Sequence, residues 1–142
     1  MSEQEEIRRI LVAADGSIQS VKAIRMAAQI AKGMGAELAV VHVNELHELP
    51  VLITEGQNVD EESRGQTILS DALEIAMSEG VKAVGVIKNG HAAGQILVYA
   101  QEYSPQLIFI GTRGLGRALS MVLGSVSQIV VRGAKTSVVV VK

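Results

Sequence analysis

The chain has 142 residues, of which 48% are hydrophobic and 2% aromatic; it contains no cysteine or tryptophan, and its formal net charge is −2. This length predicts a single domain over residues 1–142 with no room for a second. The slight negative charge and the scarcity of aromatic side chains argue against nucleic acid and anionic membranes as partners. The lack of cysteine excludes disulfides, thiolate metal sites and cysteine nucleophiles.

The amino-terminal segment MSEQEEIRRILVAA carries acidic residues where an export signal needs a basic region, and its apolar run is short. No stretch of the chain approaches the length needed to span a bilayer. We therefore expect a cytoplasmic protein.

Short apolar runs alternate with amphipathic segments along the whole chain. Turn residues separate them, beginning with Asp15, Gly16 and Ser17 after the first run. The predicted elements in chain order are a strand at 10–14, a helix from about 21 to 31, a strand at 38–43, a helix at 62–78, a strand at 81–87, a helix at about 92–103, a strand at 107–110, a helix at 125–131 and a strand at 137–141.

The five predicted strands are almost uniformly apolar, which is typical of a parallel sheet covered by helices on both faces. The pattern predicts a doubly wound, Rossmann-like α/β fold, for which right-handed crossovers allow few strand orders. The polar stretch at 44–63 contains Pro50 and Gly56 and shows no period, so it is predicted as a loop.

A glycine-rich segment, GTRGLGRALSMVLGS, occupies residues 111–125 between a strand and a helix. Closely spaced glycines can direct backbone amides toward one point, and the following helix adds unpaired amides and the positive end of its dipole. Residues 103–142 hold five basic residues and no acidic one. These features favour an anion site, with Ser125 as helix N-cap or phosphate contact. Alternatively, the glycines only permit turns, and Arg113 and Arg117 are solvated.

The segment carries neither a Walker loop nor a dinucleotide-binding fingerprint. Instead, Gly111-Thr112-Arg113-Gly114, nine residues, and then Gly124-Ser125 resembles the ATP-binding signature of the universal stress protein family. The resemblance extends along the chain through ILVAADGS, ELAVVHV, LIFIGTRG and GSVSQIVVRGAKTSVVVVK.

This resemblance implies the strand order 3-2-1-4-5, in which strands 1 and 4 are neighbours and a crevice opens at their carboxyl ends. It implies ATP as the ligand, with Mg²⁺ bound through the phosphates. Ala13, Ala14 and Asp15 are implied at the adenosine end, with Asp15 near the ribose, and the backbone of Val43 at the adenine edge. The other implied nucleotide-binding residues are Ile110, Gly111, Arg113, Gly114, Gly124, Ser125, Val126 and Ser127.

Several of these residues have structural alternatives. Asp15 can instead be the N-cap of the first helix. His42 is predicted to be a packed or hydrogen-bonded histidine, whereas His47 and His91 lie in predicted loops without a second ligand at metal-binding spacing. We therefore expect no metal site built by the protein, and no nucleophile at Ser125, because the sequence places no histidine base beside it.

The last predicted strand lies at a sheet edge in the implied order, and an uncovered apolar edge promotes aggregation. The resemblance implies that two copies pair this strand across a two-fold axis as a homodimer. The alternative is a short edge screened by Lys135 and Lys142. The strand contains Val138, Val139, Val140 and Val141.

Together with the resemblance, these features predict an ATP-binding regulator of the stress response with at most slow hydrolysis, because the loop supplies no carboxylate or glutamine to position water. ATP and Mg²⁺ would order the glycine-rich segment and change a surface that a partner protein reads. A second hypothesis is a dimeric interaction protein that binds no nucleotide, and a third is a dedicated ATP hydrolase.

Overall fold

The structure is a computed structural model that describes residues 6–45, 55–112 and 124–142. Strands and helices alternate along these residues, as the sequence predicts. The elements are β1 (Arg9–Ala13), α1 (Ile18–Met34), β2 (Glu37–Glu45), α2 (Glu55–Ser78), β3 (Val84–Gly90), α3 (Ala92–Tyr103), β4 (Leu107–Gly111), α4 (Ser125–Gly133) and β5 (Ser137–Val141).

The five strands form one parallel sheet in the order β3-β2-β1-β4-β5, which confirms the predicted doubly wound fold. β1 lies at its centre, where Val12 pairs with Val40 of β2 on one side and with Phe109 of β4 on the other. α1 carries the chain from β1 toward β2, whereas α4 carries it from β4 toward β5. The connections therefore diverge at the carboxyl ends of β1 and β4.

Neighbouring strand residues pack into different layers because their side chains point to opposite faces of the sheet. Ile10 and Val12 belong to the layer under α1 and α2, and Leu11 belongs to the layer under α3 and α4. Four alanines on α1 are fully buried, which lets this helix lie close to the strands. Within the part of the chain that the structure describes, no helix is both long and apolar enough to cross a bilayer.

The predicted loop at 44–63 is wrong for both of its described ends. Asn44 and Glu45 extend β2 because β3 pairs with them, at Asn89 and Gly90. The helix α2 begins at Glu55, before the predicted start. Its first turns are polar in sequence and therefore lack the apolar period from which a helix is predicted.

The third strand begins three residues later than predicted because the residues before it still cap α2. The Val81 amide donates to the Ala76 carbonyl at 2.9 Å, and Gly80 has a φ of +85°. A left-handed glycine with this bond pattern ends a helix. The residues that form this helix end therefore cannot begin the strand.

Two tyrosines of α3 connect three elements on the other side of the sheet. The rings of Tyr99 and Tyr103 stack with their centroids 5.7 Å apart, and the Lys88 and Arg9 cations lie over them at 5.5 and 5.8 Å. Burial raises the pKa of Tyr103 to about 12; the charges of Glu37 and Tyr99 add to this effect and that of Arg9 opposes it. The stack therefore links β3 and β1 through α3.

Candidate functional site

A cleft of about 540 Å³ opens at the carboxyl ends of β1, β2 and β4. α2 forms one wall and α3 the other, and the first turn of α4 closes one end. Ligands of doubly wound sheets bind at this position, where the crossovers diverge. The described residues that line the cleft are Ala13, Ala14, Asp15, Ser20, Val41, His42, Val43, Asn44, Glu45, Arg64, Gly65, Ile68, Ala92, Ile96, Ile110, Gly111, Gly124, Ser125, Val126 and Ser127.

Ten of the twelve predicted nucleotide-binding residues belong to this lining. They come from four parts of the chain: the end of β1, the end of β2, the end of β4 and the start of α4. They are Ala13, Ala14, Asp15, Val43, Ile110, Gly111, Gly124, Ser125, Val126 and Ser127. The other two, Arg113 and Gly114, lie outside the described residues, as do Arg117 and His47.

The turn after β1 holds the Asp15 carboxylate at the cleft. Asp15 is not the N-cap of α1: Ser17 is, and its Oγ accepts a hydrogen bond from the Ser20 amide at 3.1 Å. The Asp15 Oδ1 atom accepts from the Ser17 amide at 2.8 Å, across a Gly16 with a φ of +85°. The Asp15 amide in turn donates to the Ser20 hydroxyl at 3.2 Å. These bonds fix the orientation of the carboxylate relative to the strand end.

The other end of the cleft joins β4 to the first turn of α4. Gly124 is the N-cap, with no side-chain cap hydrogen bond, and Ser125 is the first helical residue, so the prediction of Ser125 as N-cap is wrong. The Gly124 amide donates to the Thr112 carbonyl at 2.7 Å. The buried Ser127 hydroxyl donates to the carbonyls of Gly111 at 2.6 Å and Thr112 at 3.1 Å. The strand end and the helix start are thus held together, with the positive end of the helix dipole at the cleft.

Gly111 has a packing role that its place in the glycine-rich segment does not suggest. A Cβ atom at this position would lie 2.9 Å from the Gln19 Cβ and 3.1 Å from the Ser20 amide nitrogen. Both contacts belong to the first turn of α1, including its backbone, which cannot easily move. A side chain at Gly111 would therefore separate β4 from α1 at the floor of the cleft.

The end of β2 offers an unpaired backbone edge. The Ala14 amide donates to the Val41 carbonyl at 2.9 Å, and this is the last bond of the ladder between β1 and β2. Backbone groups of a strand face its two neighbours alternately, so those of His42 face β3 and those of Val43 face the side that β1 has left. The Val43 amide and carbonyl therefore face the cleft.

The wall made by α2 was not predicted from the sequence. Arg64, Gly65 and Ile68 of this helix line the cleft, beside Asn44 and Glu45 of β2. A Cβ atom on Gly65 would collide with the Asn44 Oδ1 atom. The one local signal for this approach was a glycine inside a predicted helix, which often marks close packing.

The histidines of the described residues have separate positions. His42 is buried, with its Nδ1 atom 2.7 Å from the Ala14 carbonyl oxygen, as expected for a hydrogen-bonded strand histidine. His91 precedes α3 at its N-cap and makes no side-chain cap bond. Among the described residues, no three His, Asp or Glu side chains gather in a group that could hold a metal ion.

Comparisons with known proteins agree with this architecture. The family model described as "Universal stress protein family" matches residues 6–142. Universal stress protein YxiE of Bacillus subtilis is 34% identical, over 94% of this chain and 98% of the relative. The Archaeoglobus fulgidus universal stress protein in complex with dAMP has a TM-score of 0.72 at 27% identity, over 97% of this chain and 100% of its own. A universal stress protein in complex with cAMP has a TM-score of 0.77 at 25% identity, over 97% and 99%. The chain therefore belongs to the universal stress protein family.

Proposed function

We propose that the cleft binds an adenine nucleotide, ATP with Mg²⁺, and that the protein is a nucleotide-responsive regulator of the stress response in the cytoplasm. The observation that carries this proposal is the gathering of ten predicted nucleotide-binding residues in one cleft of about 540 Å³. Two relatives with the same fold support the ligand class, because their structures hold cAMP and dAMP, which are both adenine nucleotides.

The base end of the proposed site is the Val43 backbone. A strand carbonyl can accept a hydrogen bond from the 6-amino group of adenine while the amide of the same residue donates one to N1. Val43 presents both backbone groups on one side of the strand. Val41, Ile96 and Ile110 also line the cleft and give the base apolar surroundings. Asp15, held by its bond from the Ser17 amide, is proposed to accept from the ribose.

The phosphate end of the proposed site is the first turn of α4. The unpaired amides after Gly124 and the helix dipole attract an anion, and the absence of a side chain on Gly124 lets phosphate oxygens approach. The Ser125 hydroxyl is exposed at this turn. Arg113 and Gly114 remain part of the proposal on their sequence alone. Mg²⁺ is proposed to bind through phosphate oxygens and water, as it does in many nucleotide sites.

Isothermal titration calorimetry with ATP and Mg²⁺ tests the proposal directly. We expect binding by the wild-type protein and none by Gly124→Val, whose side chain blocks the phosphates while the circular dichroism spectrum stays unchanged. Gly33→Val is the matched control, because a Cβ added at Gly33 meets nothing within 4 Å. Saturating ATP should also raise the melting temperature of the wild type, since a ligand at 100 times its Kd adds about 2.7 kcal/mol to the free energy of unfolding.

No binding heat and no thermal stabilisation at millimolar ATP would refute the proposal and favour an interaction protein that binds no nucleotide. Phosphate release separates the regulator from a dedicated hydrolase. We expect turnover far below the 1–10³ s⁻¹ range that is, roughly, typical of enzymes. Turnover in that range, lost in Gly124→Val, would identify a hydrolase.

The free edge of β5 is proposed to pair with a second copy. Among the described residues β5 pairs with β4 alone, and the Thr112 amide donates to the Val141 carbonyl at 2.9 Å. By alternation the backbone groups of Val138 and Val140 face away from β4. An apolar strand with free backbone groups is suited to pair with its own copy across a two-fold axis.

Light scattering after size-exclusion chromatography tests this pairing. We expect a dimer for the wild type and a monomer for Val140→Pro, because proline removes an outward amide without breaking the ladder to β4. Val140→Thr keeps the amide and should remain dimeric. A monomeric wild type, or a dimeric Val140→Pro with the native spectrum, contradicts the proposed interface.

A further inference from the structure

We propose that His42 is a positioning residue that ends the ladder between β1 and β2 and so keeps the Val43 backbone free. Its effect on ligand choice rests on the function proposed above, whereas its effect on the backbone does not. Among the described residues, His42 is the one strand side chain that bonds to the backbone at the end of β1.

The argument begins with the Ala14 carbonyl. In a parallel pair the backbone bonds continue at every second residue, so the bond after the one from the Ala14 amide to Val41 would run from the Val43 amide to the Ala14 carbonyl. That carbonyl instead lies 2.7 Å from the His42 Nδ1 atom. A carbonyl oxygen only accepts, so Nδ1 carries the proton and donates it. The imidazole thus donates to the acceptor that the Val43 amide would otherwise use, and the Val43 amide makes no bond to it.

The packing around the imidazole holds it in this position. His42 is 8% exposed, and α2 crosses it at Gly65, where a Cβ atom would lie 3.1 Å from the His42 Cδ2 atom. Asn44, next on the same face of β2, fills the remaining space beside Gly65 and donates to the Asn89 Oδ1 atom at 3.2 Å. The glycine therefore leaves room for the ring, and the helix limits its movement.

The consequence for a ligand is a choice between bases. A free amide and carbonyl at Val43 complement adenine, which accepts at N1 and donates from its 6-amino group. Hypoxanthine has the opposite pattern, with a proton on N1 and an oxygen at position 6, so it leaves both protein groups unpaired. If the Val43 amide instead donates to the Ala14 carbonyl, it can no longer donate to adenine N1, and half of this recognition is lost.

Amide hydrogen exchange followed by NMR tests the inference without any nucleotide. We expect the Val43 amide to exchange fast in the wild type and at least about tenfold more slowly in His42→Leu, where the Ala14 carbonyl has lost its side-chain donor. His42→Asn is the matched control, because its amide can donate from nearly the same place as Nδ1, and Val43 should again exchange fast. The Val41 amide, inside the ladder, should be protected in all three proteins.

A protected Val43 amide in the wild type, or an unchanged exchange rate in His42→Leu, would overturn the inference. If His42→Leu does not fold, His42→Gln replaces it, because the longer glutamine amide does not coincide with Nδ1. Equal Val43 exchange in His42→Gln, His42→Asn and the wild type would then count against the role of the imidazole.

Competition between ATP and inosine triphosphate tests the consequence for binding. We expect the wild type and His42→Asn to prefer ATP by at least about tenfold, and His42→Leu to lose most of that preference. Affinity for inorganic triphosphate should be the same in all three. If the wild type binds none of these ligands, the proposed function fails, and the exchange measurement still decides the role of His42. An ATP preference that survives in His42→Leu overturns the inference alone.

Discussion

Ser127→Ala, compared with Ser125→Ala, separates a residue that builds the cleft from one that is proposed to contact the phosphates. The Ser127 hydroxyl is buried and donates to the Gly111 carbonyl at 2.6 Å, with the Thr112 carbonyl 3.1 Å away. It therefore ties the first turn of α4 to the end of β4. Ser125, two residues earlier on the same helix, is exposed at the cleft.

The expected loss follows from the acceptor that the substitution leaves behind. A net hydrogen bond contributes about 0.5–1.5 kcal/mol, and a buried carbonyl without its donor costs about 1–3 kcal/mol. We expect Ser127→Ala to lower the free energy of unfolding by about 2 kcal/mol, because Gly111 is buried at the sheet whereas Thr112 keeps the bond from the Gly124 amide. For a domain of this size that corresponds to a fall in melting temperature of about 7 °C.

Denaturant unfolding, differential scanning calorimetry and ATP titration together provide the assay. Ser127→Ala should lose both stability and ATP affinity, because the helix start moves away from β4. Ser125→Ala should lose affinity alone. A Ser127→Ala protein with the melting temperature of the wild type, and an affinity loss equal to that of Ser125→Ala, would refute the assignment of Ser127 to holding α4 against β4.

Three further substitutions test the packing and the titration of the fold. Gly111→Ala should lower the free energy of unfolding by about 1–3 kcal/mol, because its Cβ meets Gln19, whereas the control Gly33→Ala, in open space on α1, should raise it by about 0.5–1 kcal/mol. Gln106→Ala removes an oxygen that accepts from two consecutive amides at the start of β1, at 2.8 Å each, and should cost about 1 kcal/mol in denaturant unfolding. Burial raises the pKa of Tyr103 from its ordinary 10 to about 12, so the folded protein holds this proton more tightly than the unfolded chain. The stability contributed by Tyr103 is therefore complete below pH 10 and should be lost as the pH rises from 10 to about 12, and Tyr103→Phe should remove that part of the slope in unfolding curves measured over this range.

The apolar runs were sufficient to locate all five strands, because strands covered on both faces have continuous hydrophobic sequences. Strand ends were harder to predict. β2 continues through Asn44 because β3 pairs with it there, a contact that the local sequence does not contain. β3 starts late because the Val81 amide is bonded to the end of α2. A tertiary pairing decided the end of β2, and a helix-capping bond decided the start of β3.

The parts of the candidate site next to the ends of strands could be predicted from the sequence, whereas the part that another helix brings to the cleft could not. Glycine spacing pointed to the loop after β4, and the resemblance to the universal stress protein family pointed to the loop after β1; the described residues of both meet in the cleft. Arg64 reaches the cleft because α2, which connects β2 to β3, packs beside it, and no local sequence pattern predicts this position. For the cap of α1 the sequence suggested Asp15, but Gly16 at a φ of +85° turns the chain so that Ser17 reaches the Ser20 amide.

The polar groups that the cleft offers at its two ends are largely backbone groups: the Val43 amide and carbonyl at one end and the first amides of α4 at the other. Several polar side chains nearby bond to the backbone instead of the open cleft, as His42 does to Ala14 and Ser127 does to Gly111. A substitution at such a position changes a ligand contact only by moving the backbone behind it. Because a backbone contact does not depend on the side chain that the residue carries, a site of this kind tolerates the sequence differences between this chain and relatives at 25–34% identity. It also predicts that at His42 and Ser127 a replacement with the same donor preserves binding better than one with the same volume.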